Sequence, residues 1–367
     1  MKKLLLVLIT FVATLLIQIG HFDYMSAANA ADKQVVLNLA TVAPPVGSTG
    51  EELKWYANEI DKRTNGSIRI KIAWAGTLAG PREMPDAIRT GSIDIAHLPW
   101  VAFSPSLVPL HSITMKCSAF HGSHPLALWM AGLQLYKEFP EFDKEYKANN
   151  MIRVGYRGSG GLNMDSRKKP VREIEDLKGL KIVALGPVDQ GLLKAVGAVP
   201  VSFFINQVAD NMQKGVVDAA FNPTSTSVRF KVFESAKYYI RFVEPALGQD
   251  PGFAITMNLE AWNKLPPDIQ KIFLELREEY PIKFAEFDKK DTENSYQIIK
   301  NSGTEIIEFP ASETSRWKAL IDLQEMNEKW INEALKRTNV SEQRLRQILT
   351  RYRELLDEMP EKYPQSW

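Results

Sequence analysis

Cysteine is nearly absent: Cys117 is the only one in 367 residues. That excludes an intrachain disulfide and any metal cage built from cysteine thiolates. A charge surplus is absent too, because 45 Lys and Arg stand against 44 Asp and Glu. A nucleic-acid binder would carry a basic excess, so that class falls away. Histidine is scarce, and the one close pair, His121 and His124 in HGSHP, has no acidic partner and is broken by Pro125; no metal site is expected there. Phosphate-binding motifs are missing: RGSGGLN, residues 157–163, fits neither GxGxxG nor GxxxxGK[ST]. It also misses the nucleophile elbow around Ser159. With no nucleophile–base pair legible, the chain reads as a non-enzyme without a cofactor. A cleft hydrolase is the alternative the sequence leaves open.

Long apolar runs are missing everywhere except at the start. Lys2 and Lys3 precede an apolar stretch from Leu4 to Ile19, and Ala28-Asn29-Ala30 supplies a small-x-small cleavage pattern. This is the signature of a cleavable signal peptide over residues 1–30, too short for a membrane span. No cysteine stands at the cleavage site, so no lipid anchor is expected there. The mature chain is expected in the periplasm.

What remains is 45 % hydrophobic overall, enough to build a core. VVLNLATV from Val35, SIRIKIAW and SIDIAHL read as strands, separated by helices over Glu51–Ile60 and around Arg82–Arg89. Ser48 and Glu51 have the spacing of a capping box. A second unit has the same β-α-β-α-β order, with LKGLKIVAL, VPVSF and VVDAAF as strands. Both units share one phrase, G-x-hydrophobic-Asp-x-Ala, at Gly91–Ala96 and Gly215–Ala220. Gly is the residue that ends a helix in the left-handed region without steric cost. Asp94 and Asp218 are expected to bond a neighbouring loop.

Two such units joined by several chain crossings give an α/β, two-lobed architecture of the class II-like periplasmic-binding type, with hinge crossings and long C-terminal helices. Its expected parts are lobe 1 over 31–155, lobe 2 over 156–255, and a C-terminal segment 256–367 returning to both. A helix is expected from Ile269 to about Ile299 with a break or kink near Tyr280-Pro281, then a strand TEIIEF, then helices over Ser312–Arg337 and Ser341–Met359. In open α/β sheets, ligands sit at the carboxyl ends of the strands. Trp74, Trp100, Phe103, Tyr156 and Phe221 fall near those ends and are expected to wall a small-molecule pocket.

Particular runs carry a family likeness. EDLKGLKI, LLKAVGAVPV and MQKGVVDAAFNP between Pro170 and Pro223 resemble the DctP-type solute-binding proteins of tripartite ATP-independent periplasmic (TRAP) transporters, as do GPREMPDAIRTGSIDIA and MNLEAWNKLPPDIQKIF. The resemblance implies a receptor that closes on a small solute and delivers it to membrane permease subunits; an exported sensor is the alternative. It implies an arginine after DLKGLKI that pairs with the ligand's carboxylate, yet this chain has Val183 there. Arg157 is then the candidate replacement cation, six residues before Asn163, where some members place a second cation. A bound metal ion or a neutral ligand are the other routes. Asn222 matches the family's ligand-bonding asparagine. Trp74 and Trp100 are expected to meet Val183, Phe221 and Asn222 across the cleft. The chain could act as a monomer or a homodimer.

Overall fold

A computed structural model describes residues 34–100, 104–121, 123–184, 186–242, 246–247 and 252–365. The expected signal peptide lies outside these residues. In chain order the elements are β1 (Val35–Thr41), α1 (Gly47–Arg63), β2 (Ile68–Ala73), α2 (Met84–Thr90), β3 (Ile95–Pro99), α3 (Ser112–Cys117), α4 (Pro125–Glu138), α5 (Glu141–Ala148), β4 (Met151–Arg157) and β5 (Leu162–Ser166). There follow β6 (Lys181–Val183), α6 (Pro187–Ala195), β7 (Val199–Val201), α7 (Ile205–Lys214), β8 (Ala219–Pro223), α8 (Thr224–Arg229), β9 (Tyr238–Phe242), β10 (Phe253–Asn258) and α9 (Leu259–Asn263). The chain closes with α10 (Pro267–Asn301), β11 (Glu305–Phe309), α11 (Ala311–Ala319), α12 (Leu323–Arg337) and α13 (Glu342–Lys362).

The strands form two sheets, of order β2-β1-β3-β10-β4 and β11-β9-β5-β8-β6-β7. Within them, β2-β1-β3 and β7-β6-β8 are the same parallel three-strand unit. The shared phrase has one structural cause in both. Gly91 (φ 75°) and Gly215 (φ 76°) end their helices in the left-handed region. The aspartate three residues on then accepts a backbone N–H from the neighbouring first strand: Asp94 from Asn38 at 2.8 Å and Asp218 from Lys181 at 2.9 Å. Each aspartate thus pins its third strand to its first, whereas the sequence suggested a loop partner.

The chain passes between sheets from β4 to β5 and from β9 to β10, and a third time through α10 into β11. The expected limits at 155 and 255 fall inside β4 and β10, both of which belong to the first sheet. α10 runs unbroken through the buried Pro281, so of the expected break or kink the break does not occur. The expected helix from Ser312 to Arg337 is two helices, because Asp322 accepts the N–H of Glu325 at 2.8 Å and starts α12 afresh. Two tryptophans anchor this tail. The indole of Trp317 donates to Leu192 O in the second half, and that of Trp330 to Pro109 O in the first. Along α13, Leu345, Ile348, Tyr352 and Leu355 bury their side chains with Leu133 and Tyr136 of α4, the i, i+3, i+4 stripe of an amphipathic helix.

Candidate functional site

A cavity of about 430 Å³ lies between the two halves, within the range of small-molecule sites. Its walls come from the carboxyl ends of strands in both sheets, through His97, Pro99 and Arg157 on one side and Phe221, Asn222 and Pro223 on the other. The N-terminus of α1 adds Ser48 and Thr49, α8 adds Arg229, and α10 adds Phe284 and Asp288. Phe204, Phe230 and Phe253 join Phe221 and Phe284, so most of the wall is apolar and aromatic.

The residues expected from sequence divide cleanly. Arg157, Phe221 and Asn222 line the cavity. Trp100 does not: it is fully buried in the first-half core against Tyr146. Tyr156 is buried on Tyr136, since alternation along β4 sends it to the opposite face from Arg157. Trp74 packs, half-buried, on the cluster beneath the first sheet, and only its neighbours Ala75 and Gly76 reach the cavity. Asn163 spends its amide on Thr224 (3.1 Å) and the N–H of Phe242 (3.2 Å). Val183, 5 % exposed, is sealed against Val208 and Met212 of α7, where a valine gains more from the core than from a cleft. Phe103 lies outside the described residues.

Arg157 is 2 % exposed and bonds through four of its five N–H groups. Its Nε and Nη2 reach Glu52 at 3.0 and 2.6 Å, Nη1 donates to Gly158 O at 2.8 Å, and Nη2 also donates to Thr49 Oγ1 at 3.2 Å. The rings of Phe253 and Phe284 sandwich the guanidinium at 4.0 and 3.8 Å, a cation–π arrangement on both faces. Burial pushes the Glu52 carboxyl above its ordinary range, against the pull of Arg157. His97 stands behind this pair, with Nδ1 at 3.2 Å from Thr41 Oγ1 and Nε2 at 3.4 Å from Glu52. Burial, then Arg157 and Arg229, holds its imidazole well below the usual value, hence neutral.

Sequence reasoning missed Glu52, Arg229, Phe253, Phe284 and Asp288. The signal for two of them was present: Phe284, Asp288 and Asp291 are spaced i, i+4, i+7 and share one face of α10. That face meets the start of α1. Asp291 accepts the N–H of Ser48, and Asp288 accepts its hydroxyl at 3.3 Å. The capping expected within Ser48–Glu51 is therefore supplied by a distant helix, and α1 has no side-chain cap of its own. Gly47 (φ +67°) makes room, because a Cβ there would stand 2.8 Å from Arg229 Nε and 2.9 Å from Asp291.

Beneath Asn222 lies Asp165, 1 % exposed, accepting from Ser227 Oγ at 2.7 Å and Asn222 Nδ2 at 3.3 Å. This pairing assigns the amide orientation and leaves the Asn222 carbonyl oxygen as the group it can offer the cavity. Burial pushes Asp165 from 3.8 up to about 6, with Ser227 and Asn222 opposing. A folded-state value above the unfolded one gives stability that is present below pH 3.8 and lost as pH rises through about 6. Across that window the unfolding free energy is expected to lose about 3 kcal/mol from this group. Urea unfolding across pH checks it: Asp165→Asn should flatten that part of the profile, and an unchanged slope removes Asp165 as its source.

With this geometry in hand, comparison with known proteins is decisive. A model of the bacterial extracellular solute-binding protein family 7, DctP, matches residues 39–330. The chain belongs to this family. Among curated relatives, the C4-dicarboxylate-binding periplasmic protein DctP of Rhodobacter capsulatus is 22 % identical over 297 residues, covering 80 % of this chain and 86 % of its own. A TRAP solute-binding protein of Rhodoferax ferrireducens T118, solved with copurified benzoate, superposes with a TM-score of 0.79 at 21 % identity, covering 90 % of this chain and 99 % of that one. A TRAP periplasmic solute-binding protein of Bordetella bronchiseptica, solved with (R)- and (S)-mandelate, gives 0.77 at 20 % identity over 89 % and 99 %. The two-lobed fold expected from the sequence is the fold of these proteins. Among the described residues, no helix is long and apolar enough to cross a membrane.

Proposed function

We propose that this protein is the extracytoplasmic receptor of a TRAP transporter, which closes its lobes on a small organic acid and delivers it to ion-coupled permease subunits in the membrane. The observation that carries the reading is the cavity at the strand ends of both sheets, with phenylalanine walls and arginines at one end. A ligand that touches both lobes stabilises only the closed form, so binding shifts the open–closed equilibrium. We take the first sheet with its helices as lobe 1 and the second as lobe 2, which moves the expected limits to the strand ends at Arg157 and Phe253, with the C-terminal helices tied to both and hinges at the crossings between sheets. Export through the cleaved leader places the receptor outside the cytoplasmic membrane. The ligands named for the relatives, a C4-dicarboxylate, benzoate and mandelate, support an organic acid.

The hydrolase alternative has one geometric hook, the row Thr41–His97–Glu52. Thr41 is fully buried and absent from the cavity wall, and Glu52 is held by Arg157. A nucleophile that cannot meet the ligand favours a receptor over an enzyme.

Calorimetry and thermal-shift measurements with benzoate, mandelate and succinate test the reading. At about 1,000 times its dissociation constant, a bound acid is expected to stabilise the fold by roughly 4 kcal/mol. Asn222→Ala is expected to weaken binding of mandelate, which carries a hydroxyl, roughly fivefold, the value of one hydrogen bond near 1 kcal/mol, with folding checked by circular dichroism because Asn222 also donates to the buried Asp165. Acids that leave both heat and melting temperature unmoved would overturn the assignment.

A further inference from the structure

Of the two arginines on the cavity wall, Arg157 commits four of its five N–H groups and Arg229 three. The bidentate edge of Arg157 is closed by Glu52, a third nitrogen is held by Gly158 O, and both faces are covered by phenyl rings. Arg229 is held loosely. Its partners are two neutral hydroxyls, Thr49 Oγ1 at 3.2 Å and Ser48 Oγ at 3.1 Å, and one oxygen of Asp291 at 3.4 Å. Its Nε is buried and, among the described residues, has no hydrogen-bond partner. Its side chain is only 8 % exposed and lines the cavity. Burial draws its charge-holding power below the ordinary arginine value, with Asp291 and Asp288 working the other way. A planar fork in this condition suits a carboxylate arriving from the cavity.

We propose that Arg229 anchors the ligand's carboxylate, and that the ligand is a monocarboxylate with an apolar, ring-sized body. The proposal rests on the organic-acid reading above and deepens it. Arg229 takes the role left open by Val183, which is out of the cavity altogether. The body of the ligand lies along Phe204, Phe221, Phe230 and Phe253, and Asn222 offers a carbonyl oxygen to any hydroxyl it carries. A second carboxylate finds no second cation with a free edge, and meets Asp288 and Asp291 on the neighbouring face of α10. The pocket therefore admits one negative charge and rejects a diacid.

The test is calorimetry on the full exported chain with benzoate, mandelate, phthalate, succinate and benzamide. Wild type is expected to bind benzoate or mandelate at least tenfold more tightly than phthalate, succinate or the neutral benzamide. Arg229→Met, checked for folding by circular dichroism, is expected to lose about 100-fold in monoacid affinity, and Arg229→Lys about tenfold, because a point charge replaces the fork. Should Arg229→Met fail to fold, the wild-type ranking and the lysine variant decide. A folded Arg229→Met within threefold of wild type, an Arg229→Lys that binds as tightly as wild type, or a wild type that prefers succinate, overturns the anchor while leaving the organic-acid reading intact. A wild type that binds none of the four acids overturns both.

Discussion

Arg157→Met is expected to lower the unfolding free energy by roughly 3–5 kcal/mol, the usual consequence of removing one partner of a buried ion pair. Glu52 is 0 % exposed and has Arg157 as its charged partner at 2.6 Å. Without the guanidinium it must take up a proton to remain inside. The variant's stability should therefore fall as pH rises, because a carboxyl raised in the folded state loses its contribution on the alkaline side. The double variant Glu52→Leu/Arg157→Met removes both charges and is expected to be less damaged than the sum of the singles, with a coupling of about 1–3 kcal/mol. Denaturant unfolding of the four proteins measures this cycle. Additive losses would mean that Arg157 acts through its contacts with Phe253 and Phe284 and not through Glu52.

Arg153→Met is expected to cost a similar amount, roughly 3–5 kcal/mol, at a site remote from the cavity wall. Arg153 is 1 % exposed, lies over the ring of Tyr136 at 4.1 Å, and donates to Asp143 at 3.2 Å. Its Nη1 faces His111 Nε2 at 3.0 Å. A guanidinium can only donate, so Nε2 accepts and the imidazole proton sits on Nδ1, pointing at Glu145 Oε2 at 2.7 Å. Glu145 also accepts the N–H groups of Leu110 (2.6 Å) and His111 (3.3 Å). Burial outweighs these donors and pushes its carboxyl up to about 8. Removing Arg153 strips the network of its one central cation and leaves His111 Nε2 without a donor. Because the network pins α3 and α5 to β4, the loss should appear in stability and leave acid affinity per folded molecule unchanged. A variant as stable as wild type would show that the histidine and glutamate satisfy each other alone.

The two arginines show why sequence reading reached only part of the site. Arg157 stands out in the sequence as a cation at a strand end beside a glycine-rich stretch. Nothing local shows that Glu52, on α1, already occupies it. Arg229 sits in an unremarkable TSTSVRF segment, and only the fold brings it to the start of α1 and to Asp291 on α10. The aromatic signal was read at the right ends of the right strands, yet Trp100 and Tyr156 face the cores. A strand end says where a pocket can be, while the pleat decides which of two adjacent residues looks into it.

By itself the sequence determined what depends on near neighbours and composition. The leader pattern, the twice-repeated β-α-β-α-β order, the glycine stops at Gly91 and Gly215 and the family likeness in EDLKGLKI all rest on spacing within a few dozen residues. The tertiary structure alone decided which charged groups line the cavity and how they are paired. Glu52 closes one arginine, α10 caps α1 from more than two hundred residues away, Val183 turns into the core, and Arg229 keeps a buried Nε with no hydrogen-bond partner among the described residues. These outcomes depend on which groups share a buried volume, and in a low-dielectric interior each carboxylate or cation is set by its contacts in space and not by its place along the chain.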